Sequence, residues 1–461
     1  MSQVESQAVI AKGPTPSLEE RARPVPRYTS YPTAPHFNEG VTAETYGQWL
    51  SALPADASLS LYLHIPYCDR LCWFCGCHTK QVQRYEPIAR YLEALTAEIN
   101  AVAARLAGKG RVTAVHLCGG SPSMMTPEDI LALGTLLRQS FTFAPDAEIS
   151  IEMDPNDMDE ARYDALAAFG VTRASLGVQD FNPQVQKAIN RLQSFEQTRG
   201  VVEAMRVRGV GSVNCDVLYG LPFQTAEFLN ATVEQVLSLR PDRIALFGYA
   251  HVPWMKTHQK MIDEAALPGI QTRYESARGA AELIVAAGYQ AIGIDHFALP
   301  DDSLAIAARN GTLRRNFQGY TADNATALIG LGASSIGQLP QGYVQNIVAT
   351  AEYQRRVLAD GLATGKGYAL TEDDRVRAHL IERLMCDFAV SRSDLRQRFG
   401  AAANPVLAEM QMAFANDVDG VLELDGDWFR ISETGRPFVR SVAAAFDAHL
   451  NTNGARYSLA V

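Results

Sequence analysis

No apolar run in this 461-residue chain is long enough to cross a membrane: stretches such as Leu283–Ala287 fall far short of the roughly 20 residues a span needs. Basic residues are also scarce, with 41 Lys and Arg against 51 Asp and Glu. The resulting net charge of −10 argues against nucleic acid or an anionic membrane as the main partner, though it leaves room for a local basic pocket. The first 30 residues carry acids and prolines without an apolar core, so no secretory signal is expected and the protein is expected in the cytoplasm. The templates H-E-x-x-H, G-x-x-x-x-G-K-[ST] and C-x-x-C-H are missing, and Gly330, Gly332 and Gly337 are too widely spaced for a dinucleotide fingerprint. A composition of 47% hydrophobic and 20% charged residues excludes disorder, collagen-like repeats and coiled coils.

What is present is a regular alternation. Short apolar strands are expected at Leu59–Ile65, Val112–Leu117, Ala147–Met153, Arg173–Val178, Ser212–Tyr219 and Arg243–Tyr249. Helical spacing lies between them at Glu86–Leu106, Thr126–Gln139, Asp159–Phe169, Pro183–Arg208 and Thr225–Leu239. Such repeats predict an α/β fold with a parallel sheet, open or closed into a barrel, and ligands at the carboxyl ends of its strands. Residues 1–55 are expected to form an N-terminal arm, loose over 1–26; 56–366 the barrel with a less regular extension that holds a helix at Thr272–Ala287 and a strand at Gln290–Ile294; and 367–461 a mostly helical, winged-helix-like domain. That last domain combines helices at Glu372–Phe388, Ser391–Phe399, Pro405–Asn416 and Thr434–Leu450 with a hairpin from Val421–Leu424 to Trp428–Ile431. From residue 371 to the end it holds 10 Lys and Arg against 14 Asp and Glu, a balance unsuited to DNA.

Seven cysteines are present, and four of them fall between Cys68 and Cys77. With no export expected, such a cluster reads as metal-binding or catalytic rather than as disulfides. The run Cys68-Asp-Arg-Leu-Cys72-Trp-Phe-Cys75-Gly-Cys77 places four thiols on one short loop, three of them within eight residues. Three thiolates can hold three irons of a four-iron cluster and leave the fourth open. Zinc is the competing reading, although zinc ligand pairs are usually separated by a hairpin or helix.

The spacing C-x3-C-x-aromatic-C, with Phe74 in the aromatic slot, resembles the signature of the radical S-adenosylmethionine (SAM) enzymes. The segments Arg27–Thr33, Leu61–Pro66, Gly177–Asn182, Tyr219–Pro222, Asp295–Phe297 and Arg315–Tyr320 resemble one family within that group, the oxygen-independent coproporphyrinogen III oxidases. The resemblance runs from about residue 24 to the C-terminal helix. It implies a partial (β/α)6, TIM-like barrel with a helical C-terminal domain. It also implies a [4Fe–4S] cluster on Cys68, Cys72 and Cys75, with SAM chelating the open iron and a second SAM beside the first. In that family a 5′-deoxyadenosyl radical takes hydrogen from a substrate propionate, and loss of CO2 and an electron leaves a vinyl group. Two propionates of coproporphyrinogen III are processed in this way, as a step of haem biosynthesis.

Carried over position by position, the resemblance implies contacts to SAM from Gly119, Gly120, Ser121, Glu152, Gln179, Arg191 and Asp216. Tyr62, Phe74, Ala250, Phe317, Gln318 and Ile336 match positions lining the two SAM molecules. Cys118 and Ser121 depart from the family's Gly-Gly-Gly-Thr-Pro. Cys77 is expected to serve proton or electron transfer, with Tyr62 as a second catalytic residue. The substrate's propionates need local cations, for which Arg27, His251, His296, Arg314 and Arg315 are candidates. A low-potential donor such as a flavodoxin or ferredoxin is implied, acting on a monomer. Two other readings stay open: a haem-binding, haem-trafficking or haem-degrading relative, and a zinc-stabilised DNA-binding regulator.

Overall fold

The computed structural model describes Leu18, residues 23–450 and residues 456–458, so most of the loose arm expected over residues 1–26 lies outside the described residues. Six strands follow one another in the sheet: β1 (Ser58–Ile65), β2 (Arg111–Gly119), β3 (Phe143–Met153), β4 (Arg173–Gln179), β5 (Ser212–Tyr219) and β6 (Arg243–Gly248). Each pairs in parallel with the next. The crossovers are α1 (Glu86–Leu106), α2 (Pro127–Ser140), α3 (Glu160–Phe169), α4 (Pro183–Ala188) with α5 (Phe195–Val207), and α6 (Ala226–Ser238); α7 (Ile270–Ala286) follows β6. Their starts are capped as the sequence suggests: Thr126, Asp159, Ser194 and Thr225 each accept a backbone N–H of the first turn.

The extension departs from expectation. It contributes six more strands: β7 (Gln290–Ile292), β8 (His296–Ala298), β9 (Ala327–Leu331), β10 (Ile336–Leu339), β11 (Gly342–Asn346) and β12 (Thr364–Ala369). The sheet order is β12-β11-β10-β9-β1-β2-β3-β4-β5-β6-β8-β7. β9 runs parallel to β1, making seven parallel strands, and the antiparallel strands lengthen both edges instead of closing the barrel. These strands have three to six residues each, too few for a period to show in the sequence. The boundary expected at 366/367 falls inside β12, so the barrel sheet runs on to Ala369.

Two helices are also shorter than expected. Pro183–Arg208 breaks between Ala188 and Phe195, where Asn190 takes φ 55° and Arg191 turns inward. Thr434–Leu450 is a 3-10 turn over Glu433–Phe438, which contains Pro437, followed by a helix of only Val439–Ala444. The rest of the C-terminal domain matches its pattern. Glu372–Asp387, Arg392–Phe399 and Asn404–Ala415 are helices, and Ala389–Ser391, Leu422–Asp425 and Trp428–Ile431 form the small antiparallel sheet.

One buried carboxylate ties the barrel's first helix to its open edge. Glu98 on α1 accepts from the Gly332 N–H at 2.7 Å, Asn346 Nδ2 at 2.6 Å and the Tyr353 hydroxyl at 2.7 Å. Tyr91, two turns earlier, donates to the His64 carbonyl and accepts from the Ala333 N–H, so α1 also fixes the end of β1. Burial pushes Glu98 up to about 6 against the pull of its three donors. Its folded value is thus raised above the ordinary 4.5, so its contribution to stability is full below pH 4.5 and lost as pH rises through about 6. We expect the difference in urea unfolding free energy between wild type and Glu98→Gln to change by on the order of 2 kcal/mol across that window and to be flat outside it.

Candidate active site

A strand turns alternate side chains to opposite faces, and here the two faces differ sharply. Leu61, Leu63, Val115, Leu117, Ile149, Ile151, Ala174, Leu176, Val213, Cys215, Ile244 and Leu246 are buried in the core under the helices. The residues between them are polar: Tyr62 and His64, His116 and Cys118, Ser150 and Glu152, Ser175, Asn214 and Asp216. The register sets these in rows, with Tyr62 opposite His116, His64 opposite Cys118, His116 opposite Ser150, Glu152 opposite Ser175, and Ser175 opposite Asn214.

The rows bond to one another. His116 Nδ1 meets Ser150 Oγ at 2.5 Å and its Nε2 lies 3.7 Å from Glu152. Asn214 Nδ2 donates to Ser175 Oγ and to Asp216 Oδ1, at 2.8 and 2.7 Å. Ligand atoms of His116, Cys118 and Glu152 lie within 4.8 Å of one another. Burial pushes Glu152 up, but the neighbouring His116 and Cys118 prevail and hold it below the ordinary carboxylate range. Asp216 is pushed up to about 7 by burial and the nearby Glu152 charge, despite Asn214 and Ser175. Tyr62 stays a phenol, raised by burial and then by Cys118 and Glu152, and shares a 2.9 Å bond with His64 Nδ1.

The cysteine loop leaves the end of β1 and is clamped from three sides. Trp73 N–H donates to the Ile189 carbonyl, and Asn190 Nδ2 to the Leu71 carbonyl. From beyond β6, Lys256 Nζ donates to the Cys77 carbonyl at 2.9 Å and His258 Nε2 meets the Cys75 carbonyl at 2.7 Å. Gln259, fully buried, spans from the Phe74 carbonyl to the Ala250 carbonyl. Asn190, Lys256, His258 and Gln259 were absent from the sequence reading. They lie in irregular segments where no spacing marks a role. His116, Ser150, Ser175 and Asn214 were not among the expected site residues either, although polar residues at alternate positions of otherwise apolar strands are the signal that marks them.

All seven cysteines are free thiols. Cys68, Cys72, Cys75 and Cys77 line one cavity of about 1050 Å³ together with Phe74, Gly119, Gly120, Ser121, Glu152, Gln179, Arg191, Asp216, Ala250, Phe317 and Ile336. Of the other two expected cofactor contacts, Tyr62 sits behind this lining, and Gln318 lies outside it with a buried Nε2 that meets no partner among the described residues. Cys72 Sγ accepts from Arg191 Nη1 at 3.6 Å, and Cys68 Sγ lies 3.0 Å from Thr79 Oγ1. The Cys77 thiol's hydrogen bond, followed by its backbone N–H, draws Cys75 down to about 7 and keeps Cys77 protonated. Burial, in contrast, raises Cys68 and Cys72. Three converging thiols, one already near thiolate, and a buried Arg191 Nε with no partner among the described residues make a donor set that fits an iron–sulfur cluster and an anionic neighbour.

Several expected roles are recast by the geometry. The glycines answer to the protein itself: a Cβ on Gly119, at φ 116°, would lie 2.7 Å from the His64 ring, and one on Gly120 2.5 Å from the Tyr67 carbonyl oxygen. Arg191 does not offer a free fork, because Nη1 pairs with Asp154 at 3.0 Å and Nη2 donates to the Gly177 carbonyl. The Ser121 hydroxyl donates to Asp157 at 2.5 Å. Gln179 sits at φ 66°, held by an Asp180 that bonds Gln224, Thr232 and the Asn182 N–H. Among the candidate cations, His251 is engaged by Tyr249 and Glu264, His296 by Asp295, and Arg314 by Glu382. Arg27 does line the cavity, along with Val25, Pro26 and Tyr28–Ser30 of the arm.

Residues 62–236 match the radical SAM superfamily, and residues 370–438 match the HemN C-terminal domain. The oxygen-independent coproporphyrinogen III oxidase of Bradyrhizobium diazoefficiens is 50% identical over 443 residues, 96% of this chain and 98% of that protein. Its namesake from Paracoccus denitrificans is 46% identical over 425 residues, 92% of this chain and 94% of that protein. Coproporphyrinogen III oxidase (HemN) from Escherichia coli, described as a radical SAM enzyme, shares this fold with a TM-score of 0.88 and 38% identity, over 92% of this chain and 98% of that one. The winged-helix-like module is therefore part of the oxidase and not a DNA-binding regulator, as a zinc-based reading would have it. With relatives this similar over nearly its whole length, the chain belongs to the oxygen-independent coproporphyrinogen III oxidase family of the radical SAM superfamily.

Proposed function

We propose that this chain is a SAM-dependent oxidoreductase that converts two propionates of coproporphyrinogen III to vinyl groups without oxygen, giving protoporphyrinogen IX for haem biosynthesis. The observation that supports it most is the convergence of Cys68, Cys72 and Cys75 with the polar inner row of the strands on one cavity. Those three thiols would hold a [4Fe–4S] cluster, with SAM at its open iron. When bound, cluster and SAM supply one-electron chemistry: a hydrogen atom is taken from a propionate side chain, and CO2 and an electron leave.

The chain's residues bind and orient. Glu152, kept ionised by His116 and Cys118, accepts from ribose hydroxyls, and Asp216 accepts from a hydroxyl or ammonium. Arg191 lends its free Nε to an anionic group while Asp154 fixes its plane. Gln179 and Ser121 offer polar contacts at the strand ends, and Gly119 and Gly120 keep that wall thin. Phe74, Ala250, Phe317 and Ile336 surround two SAM molecules, with Tyr62 and Gln318 backing the wall from outside the lining. Cys77 holds a proton at Sγ in the cavity wall. The arm at Val25–Ser30 keeps water from the reacting atoms. A monomer in the cytoplasm served by a flavodoxin or ferredoxin completes the proposal.

In an anaerobic assay with reconstituted cluster, SAM, reductant and coproporphyrinogen III, protoporphyrinogen IX and 5′-deoxyadenosine should both form. Release of 5′-deoxyadenosine alone would refute the substrate while sparing the radical chemistry. SAM affinity of the cluster-loaded protein should rise as pH passes upward through about 7, because Asp216 must be ionised to accept. Asp216→Asn should bind more weakly and show no such rise by anaerobic equilibrium dialysis; an unchanged profile would remove Asp216 from the SAM site.

A further inference from the structure

A guanidinium keeps its charge at any pH a protein meets and carries five N–H donors, so several of them brought together inside a protein call for anions. Arg27, Arg273 and Arg315 gather where the arm crosses the end of β6. Arg27 Nη2 donates to the Gly248 carbonyl at 3.1 Å, Arg273 Nη2 to the Tyr249 carbonyl at 2.9 Å, and Arg315 Nη2 to the Arg27 carbonyl at 3.4 Å. The side chains facing them are Tyr219, Tyr249, Tyr320 and Asp295. That carboxylate is shared already, bonded to His296 Nδ1 at 2.6 Å. Arg440 lies beside Arg27 and Arg315 and donates to the Val25 and Pro26 carbonyls.

Positive charge therefore exceeds negative charge here among the described residues. Arg273 Nε and Arg315 Nε and Nη1 are buried and meet no acceptor among them. Arg27, Gly248 and Tyr249 line the same cavity as the four clustered cysteines, and Arg27 is exposed towards it. We propose that Arg27, Arg273 and Arg315 form the receptor for a propionate carboxylate of the substrate, Arg27 meeting it from the cavity and the unfilled N–H groups of the other two supporting it from behind. This rests on the tetracarboxylate substrate proposed above. The carboxylate of SAM fits less well, since its neighbouring ammonium would enter the same excess of positive charge, whereas a propionate brings no cation.

The test uses cluster-loaded protein under anaerobic conditions, with Arg27→Gln, Arg315→Gln and Arg315→Lys. Thermal unfolding and iron content of each variant verify that it is folded and loaded. KM for coproporphyrinogen III should rise on the order of ten- to hundredfold in either Gln variant, with kcat within a few-fold and KM for SAM unchanged. Arg315→Lys, which keeps the charge but loses the fork, should fall between. Equilibrium binding of coproporphyrin III should weaken in parallel, while binding of its tetramethyl ester should not change. An unchanged KM for the porphyrinogen, an equal loss with the ester, or a shift confined to SAM would overturn the assignment. If Arg315→Gln does not fold, Arg27→Gln, at the cavity surface, carries the same comparison. Failure of the wild type to form protoporphyrinogen IX would instead refute the substrate reading, and the acid-against-ester comparison would still report whether the arginines bind a carboxylate.

Discussion

The two-residue period of parallel strands held in register is the constraint on which the rest of this molecule depends. Each of the six central strands must give one side chain to the helix layer and the next to the interior. A closed barrel of this size would fill that interior with apolar layers. Here the sheet stays open, and the interior row is polar from Tyr62 across to Asp216. A one-residue slip in any strand would exchange that row for leucines and valines, so the register that builds the core also builds the site. Tyr91 matters for the same reason: it fixes the end of β1, from which the cysteine loop departs, while Glu98 ties the same helix to Gly332 beyond β9.

Charge within the cavity is arranged by neighbours rather than by composition. His116 and Cys118 keep Glu152 ionised, Glu152 in turn raises Asp216, and the Cys77 thiol draws Cys75 towards thiolate. Cys118, which departs from the expected Gly-Gly-Gly-Thr-Pro, lies within β2 and therefore has a part in these electrostatics. On the arm side the balance reverses and arginines accumulate. A chain of net charge −10 thus holds a local positive wall, and the overall figure bears on bulk partners only.

How much could be read from the residues followed how local the signal was. The six long strands, their crossover helices and the cysteine loop were legible because strand periodicity and the spacing of Cys68, Cys72 and Cys75 are properties of short windows. The strand expected at Gln290–Ile294 is β7, but the other edge strands, β8 to β12, were not legible, since strands of three to six residues are specified by the pairing partner rather than by their own pattern. The break before Phe195 was hidden as well. It arises because Arg191 is drawn to Asp154 and the Gly177 carbonyl, contacts distant in sequence. The resemblance pointed to Arg191 and Ser121, but not to their commitments to Asp154 and Asp157, which take the free fork from one and the hydroxyl proton from the other.

The central claim is that three of the four clustered thiols hold the iron while Cys77 stands beside them. Iron and acid-labile sulfide in anaerobically reconstituted Cys72→Ser and Cys77→Ser test it most directly. The account predicts about four irons per chain retained in Cys77→Ser, with product formation impaired, and most of the iron lost in Cys72→Ser. Loss of iron from Cys77→Ser equal to that from Cys72→Ser would contradict it.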